Sequence, residues 1–453
     1  MTDVTTDADV LVLGAGLAGL AAGSALGERA VVFEREDRVG GLVRTTRFGD
    51  YWFDHVVHLL YFPDADTQRR VLGLAEHFIE PCPPAALLDF DAFTVPFPLQ
   101  NNLWALPLER RLECLRDFVS AALAREQGQV YTRNYAEQLE HAFGRAICDL
   151  FLFPYNEKMW RRSLSSMATG GFYWNMSQPS LELMLRGAIE PRTTEAYNAQ
   201  GWYPRPPLHH PVRGMEVLAR SVAANVPRLR LSETVRSIDL DRRELTVESS
   251  DGVRVWRWNE HCLSSLPLPT LIRMCANVPD GLRQSVDRLP FNRVRSVAFS
   301  IEGPRPPNRG HWRYYASRDL CFTRLIHMCE FDPAMAPEHG WSILAEVPER
   351  GDQPRASTDA LIRQASRDLA TARAVPPDCR IVDVNVIEVD TAYVVFTEDC
   401  QAIVKEAHAF LQDYGIVPIG RYGRWEYSSM AQVLRDAWST ADRVSLSTTR
   451  AFS

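Results

Sequence analysis

The chain has 453 residues, 46% hydrophobic and 24% charged, which is ordinary for a soluble globular protein whose core is split between two domains. A net charge of −7 at pH 7 and a pI near 5.9 leave no basic footprint for nucleic acid, although arginines can still gather around one anionic ligand. No apolar run reaches the roughly 18 residues of a spanning helix. The nine cysteines, scattered from Cys82 to Cys400 with no C-x-x-C pair, argue for reduced thiols rather than a disulfide framework or a zinc site. The start, "MTDVTTDAD", is short, polar and acidic, unlike a signal peptide. The expectation is a cytoplasmic protein with no membrane and no nucleic-acid partner.

In chain order, "ADVLVLGAG" reads as a short buried parallel strand stopped by glycine, "LAGLAAGSALGE" as a helix of small residues, and "AVVFERE" as the next strand, a unit spanning 9–36. Apolar positions at helical spacing over 103–127, and further helical patterns from Tyr135 to Phe153 and from Ser180 to Ile189, make the middle of the chain helical. The proline-rich stretch 203–214 leads into a helix near 215–225. Alternation over 228–266 with a turn at Asp251–Gly252 predicts strands and a hairpin, and antiparallel strands follow at 293–302, 311–316, 320–328 and 341–348. A helix over 357–373, a strand over 380–389, a turn at 420–427 and a helix from about Met430 complete the chain.

Gly14, Gly16 and Gly19 form G-x-G-x-x-G between the first strand and its helix. The first glycine permits the tight turn, the second lets backbone amides approach a pyrophosphate, and the third lets helix and strand pack closely. Leu17 and Ala18 lie between them, and Glu34, 20 residues beyond Gly14, stands where a carboxylate accepts ribose hydroxyls. The cofactor is therefore a dinucleotide. His55 and His58 in "WFDHVVHLL" lack a third ligand at usable spacing, so metal is set aside.

The stretch "ERxDRVGGLV", with Arg35, Gly40, Gly41 and Leu42, resembles the extended fingerprint of the glutathione-reductase-like FAD family, which implies FAD rather than NAD. The resemblance narrows to UDP-galactopyranose mutase-like flavoproteins. Asp54, His55 and His58 match a segment that runs beneath the isoalloxazine, and "FLFPYNEKMW" is similar to a nucleobase segment through Phe151, Tyr155, Lys158 and Trp160. "CFTRLIHMCEF" places Arg324 on a diphosphate arginine, "VRSVAF" matches Arg295, and "GRYGRWEYSSM" carries Gly420, Arg421, Tyr427 and Met430. Departures at Pro154, Asn156 and Met159 fall in the nucleobase segment, leaving uridine and guanine both open. The resemblance further implies that Val235 lies on the cofactor, that Tyr393 holds diphosphate, and that Arg192 answers to a loop arginine.

What the resemblance implies is an α/β fold: a Rossmann-like, glutathione-reductase-like FAD-binding domain (1–95, 204–270 and 400–453), an inserted helical substrate domain (96–203) and an antiparallel β-sheet substrate domain (271–399). The implied activity is an FAD-dependent isomerase that interconverts pyranose and furanose forms of an NDP-hexose, UDP- or GDP-linked and galactose-like, through a covalent sugar adduct at N5 of reduced FAD. The reaction is redox-neutral overall. FAD would be kept reduced by NAD(P)H or another external reductant, and a homodimer is the expected assembly. Arg324 and His58 support the flavin, and no protein nucleophile is required. The alternative is an amine oxidase or protoporphyrinogen-oxidase-like FAD enzyme, which wants an apolar cavity over the flavin; a non-catalytic flavin-binding protein is a third reading.

Overall fold

The computed structural model describes residues 5–56, 59–74, 78–128, 132–169, 179–191 and 201–451, the last five of these by backbone alone. The first strand (Thr5–Leu13) lies between two parallel neighbours, the second strand (Ala30–Phe33) and the long strand Gly252–Ser264. Strands Thr234–Asp239 and Glu244–Ser249 extend this sheet as an antiparallel hairpin, while Leu229–Arg230 and Ile416–Pro418 add short parallel strands. The first helix (Leu17–Leu26) carries no charged side chain and is buried over most of its surface. Its alanines and glycines suit that burial: the closing helix (Met430–Ala451) and the helix Glu216–Ala223 both pack onto it.

A second, seven-stranded sheet runs in the order Arg380–Val394, Phe291–Glu302, Gly340–Arg350, Arg324–Ile326, Trp312–Tyr315, Ala86–Asp89, Thr94–Pro96. Its pairings are antiparallel except where Ala86–Asp89 lies parallel to Trp312–Tyr315. Two expected domain limits therefore shift. The hairpin within 86–96 belongs to this second sheet rather than to the nucleotide domain, because its backbone hydrogen bonds are completed by a strand more than 200 residues away. Residues 271–289 belong to the nucleotide domain: the helices Leu268–Met274 and Asp280–Asp287 bury Leu271, Ile272 and Val286 in the core of Leu11, Leu13 and Trp258.

The intervening segment is helical as expected, with helices Leu108–Glu126, Tyr135–Phe143, Phe153–Trp160 and Leu181–Ile189. The pattern over 135–153 is not one helix. It breaks at Gly144, where a side chain would lie 2.7 Å from the Asp117 carbonyl carbon. Among the described residues no helix is long and apolar enough to cross a membrane.

Candidate active site

The glycine loop is built of two bare backbone turns pressed together. Gly40 N donates to Ala15 O at 2.9 Å, and a side chain on Gly41 would come within 3.2 Å of Gly16 Cα. Gly40 and Gly41 both have positive φ, +118° and +55°. A Cβ on Gly19 would lie 1.9 Å from Gly14 O, so this glycine is required by the turn itself. Gly16 differs. Its backbone is extended (φ −74°, ψ 177°), and a Cβ there would meet no atom within 4 Å. The fold does not need glycine at 16, but a group approaching the helix N-terminus does. That terminus has neither a side-chain cap nor an acid in its first turn, so its amides face outward unneutralised.

Around this cradle, Glu34 accepts from Ala15 N at 2.8 Å and Glu36 N at 3.1 Å, which fixes its carboxylate at the strand end. Half-buried Val235 follows Glu233, whose amide donates to Glu34 O. Leu17 and Ala18 are buried, Leu42 is half-buried, and Arg35 is exposed beside Glu36. Gly420 touches the first helix, since a Cβ on it would lie 2.6 Å from that of Ala18, and Met430 is buried at the start of the closing helix.

Next to Gly420 begins a second cluster, assembled from three distant parts of the chain. Strand register places Ser296, Glu346, Arg324 and Tyr314 in one row on one face of the second sheet. Arg324 Nε and Nη2 approach Glu346 Oε2 at 2.8 and 2.7 Å, Tyr393 donates to Glu346 Oε1 at 2.9 Å, and Arg324 Nη2 donates to Tyr393 at 3.1 Å. Burial opposes the Arg324 charge, but the Glu346 carboxylate overcomes it and holds the guanidinium pKa well above its ordinary value. Arg421 lies over Tyr427 at 4.1 Å and Tyr393 at 5.8 Å, and donates to Ala392 O. Among the described residues no carboxylate pairs with Arg421, so two cations face one anion here.

The helical segment supplies the aromatic end. Phe151 stacks on Tyr155 at 5.2 Å, and Tyr155 meets Tyr314 edge-on at 5.3 Å. Burial raises the Tyr155, Tyr314 and Tyr393 hydroxyl pKa values, so these groups stay protonated donors.

Several expectations are corrected. Arg295 is on the opposite face from Arg324, because adjacent residues of a strand alternate and its neighbour Ser296 shares the Arg324 row. It is bound instead to Glu349, Glu388, Ala356 O and Thr358, beneath the helix Thr358–Thr371. Trp160 is fully buried behind Tyr393 (6.0 Å, edge-on), with its indole donating to Asn156, so it backs the site without facing a ligand. Asp54 is buried, its carboxylate turned into the fold toward Thr45 (2.6 Å), Tyr203 (2.5 Å) and Met215 N (3.0 Å) rather than toward a cofactor. His55 is buried, its ring 3.0 Å from Thr46 Oγ1. His58 and Arg192 lie outside the described residues. Glu346 and Tyr314 carry no motif. The available signal for Glu346 was an acid inside the apolar strand "WSILAEV".

The model of the flavin containing amine oxidoreductase family matches residues 17–445, nearly the whole chain. The chain belongs to that family. A solved structure of reduced UDP-galactopyranose mutase has a TM-score of 0.85 and 22% identity, over 96% of this chain and 95% of that one. A putative protoporphyrinogen oxidase from Exiguobacterium sp. 255-15 follows with TM-score 0.72 and 14% identity, over 98% and 100%. A putrescine oxidase has TM-score 0.61 and 15% identity, over 97% and 99%. At these identities the likeness is one of fold, and it carries the expected combination of a nucleotide-binding domain and an antiparallel sheet domain.

Membership of a flavin containing family implies FAD, and the residues present fit it. The open space at Gly16, the uncapped helix terminus and the fixed Glu34 suit its diphosphate and ribose, and Arg421, which pairs with no carboxylate among the described residues, stands one residue from the contact with the first helix. Among the described residues no group of three or more His, Cys, Asp or Glu is arranged to hold a metal ion.

Asp54 gives this flavin fold a measurable pH signature. Burial raises its pKa from 3.8 to about 6, against the lowering hydrogen bonds of Thr45, Tyr203 and Met215. The folded-state value exceeds the unfolded one, so between these pH values the folded protein binds more protons, and this group's contribution falls as pH rises, by up to about 1.4 kcal/mol per pH unit. Asp54→Asn should remove that slope between pH 4 and 6 in denaturant melts. An unchanged slope would assign it to other groups.

Proposed function

We propose that this chain is a nucleotide-sugar mutase, interconverting pyranose and furanose forms of a UDP- or GDP-linked, galactose-like hexose with no net redox change. The observation that carries the reading is the joined cluster of Arg324, Tyr393, Arg421 and Tyr427 beside the Phe151–Tyr155 stack, an anion clamp continuous with an aromatic platform. An oxidase acting on a cationic amine has no use for two buried cations over one carboxylate.

Bound and reduced, FAD would supply a nucleophilic ring nitrogen for the anomeric carbon. Everything else falls to the chain. Arg324 has its Nε and Nη2 committed to Glu346 and Tyr393, so Nη1 is the donor left for a phosphate oxygen, and Arg421 adds the second positive charge. As the anomeric bond breaks, charge grows on the departing diphosphate, and donors held in advance by Glu346 and Tyr393 would stabilise it. Holding the diphosphate also keeps it for return after the sugar recloses. Phe151 and Tyr155, stacked on one another, would form the aromatic wall beside a base. Asn156 is spent on Tyr135, Trp160 and Leu152 O, so it offers the base no free edge.

The runner-up is an FAD-dependent oxidase, favoured by the fold likeness to the putative protoporphyrinogen oxidase and putrescine oxidase. Dithionite-reduced protein incubated with UDP-, GDP- and dTDP-hexoses should yield furanose signals by nuclear magnetic resonance while consuming no stoichiometric reductant. Equal turnover with oxidised flavin, or one hydrogen peroxide per product, would move the assignment to the oxidase class. On the mutase reading the enzyme works in the cytoplasm with NAD(P)H or another external reductant.

A further inference from the structure

We propose that Lys158 is a positioning residue for the nucleotide end of the cleft, its ammonium clamping the strand that carries Tyr314 against the helix that carries Tyr155. The inference rests on the nucleotide-sugar reading. Lys158 is 6% exposed, and its Nζ donates to Tyr315 O at 3.0 Å and Ser317 O at 2.7 Å. Tyr315 directly follows Tyr314, and Lys158 lies three residues after Tyr155, close to one helical turn. The ammonium thus joins the two elements whose edge-on tyrosines, Tyr155 of the aromatic platform and Tyr314 beside Arg324, link the platform to the clamp.

The clamp acts at the neck of a loop. Tyr315 N donates to Thr323 O at 2.9 Å, closing the neck, and the loop between them is fastened on its other side by Cys321 N donating to Asp368 at 2.7 Å. An exposed Arg318–Glu157 pair spans the same two elements. Mere filling would be done better by an apolar side chain, since the Phe322 ring lies 6.0 Å from Nζ and burying an ammonium is costly. What an apolar residue lacks is two simultaneous charge-assisted bonds to carbonyls on both sides of Ala316.

The clamp should respond to pH. Burial lowers the Lys158 pKa from 10.5 to about 8, so its charge is lost over a range that leaves most groups unchanged. The groups facing it are Cys321 and Asp319 of the loop, Asp368 of the covering helix, and Arg161 on its own helix, with Glu157 and Arg318 beyond. Burial raises the Cys321 thiol far above the neutral range, so it does not titrate with the lysine.

The test measures calorimetric binding of UDP and GDP to the flavin-loaded protein at pH 7 and pH 8.5, where the terminal phosphate is largely ionised and the uracil and guanine ring N–H groups are still largely protonated. The parent should weaken toward pH 8.5. Lys158→Met should be weaker than the parent at pH 7 by about tenfold, the equivalent of one charge-assisted bond, with no pH dependence. Lys158→Arg, charged throughout, should bind without the decline from pH 7 to 8.5. Amide exchange across 316–323, scaled to intrinsic rates, gives a ligand-free readout: protection should fall in Lys158→Met at pH 7. If the parent binds neither diphosphate, the nucleotide-sugar reading fails, and the exchange result alone decides the clamp. Unchanged protection, or parental binding with a parental pH profile in Lys158→Met, overturns it.

Discussion

Arg324→Ala should lose activity and stability together, and a second substitution should separate the two losses. The activity loss follows from removing a charge-assisted donor to the diphosphate, typically about 1.5–3 kcal/mol, which corresponds to roughly tenfold to a hundredfold in kcat/KM. The stability loss follows from Glu346, 1% exposed and left without its cation. Breaking such a buried pair from one side costs about 3–5 kcal/mol. Arg324→Ala combined with Glu346→Ala should therefore recover much of the melting temperature and none of the activity. Arg324→Lys should recover part of each, since an ammonium keeps the charge but cannot engage Glu346 and Tyr393 while presenting another nitrogen to a ligand. If the single variant melts like the parent and turns over nucleotide sugar at the parental rate, Arg324 is not the clamp.

Gly16→Leu and Gly19→Ala should fail in different ways. At Gly16 the backbone is extended and a Cβ meets no atom within 4 Å, so Gly16→Leu should fold, with a parental circular dichroism spectrum, yet purify without flavin. Two backbone hydrogen bonds to a diphosphate, at about 1.5 kcal/mol each, put the affinity loss at roughly a hundredfold or more. At Gly19 the added methyl would lie 1.9 Å from Gly14 O, so the smaller substitution should disrupt the loop and destabilise the first helix itself. Full flavin occupancy in Gly16→Leu would place the diphosphate elsewhere.

Legibility tracked sequence distance. The strand–loop–helix with its three glycines, and Glu34 at the next strand end, could be read because the contacts that dictate their residue types, Gly19 against Gly14 O and Ala15 N to Glu34, are local. Arg324 could be named but not its partner, since Glu346 lies on another strand and only register brings the two together. Arg295 shows the opposite error: a matching local string says nothing about which face of a strand a side chain takes, and a neighbour one residue away, Ser296, decides it. Trp160 and Asp54 match their motifs in type and spacing, yet one is buried behind Tyr393 and the other is buried with its carboxylate turned to Thr45, Tyr203 and Met215. The hairpin at 86–96 was assigned to the wrong domain because parallel pairing with 312–315 leaves no trace in either segment's own pattern.

The way the last forty residues close on the first forty has a consequence for biosynthesis. Gly420 presses on Ala18, the strand Ile416–Pro418 completes the nucleotide sheet, and the closing helix covers the first helix. On the ribosome the glycine loop emerges some four hundred residues before Gly420 and the closing helix that complete its surroundings. At roughly 5–20 residues per second, nearly four hundred residues separate the two events by about 20–80 seconds, during which the apolar first helix lacks the closing helix that covers much of it. The nascent chain should therefore be a chaperone client with little hold on flavin, and flavin loading should be a late, post-translational event. A chain truncated before Ile416 would be expected to accumulate as colourless, aggregation-prone protein, whereas supplying FAD to the completed chain should rescue it.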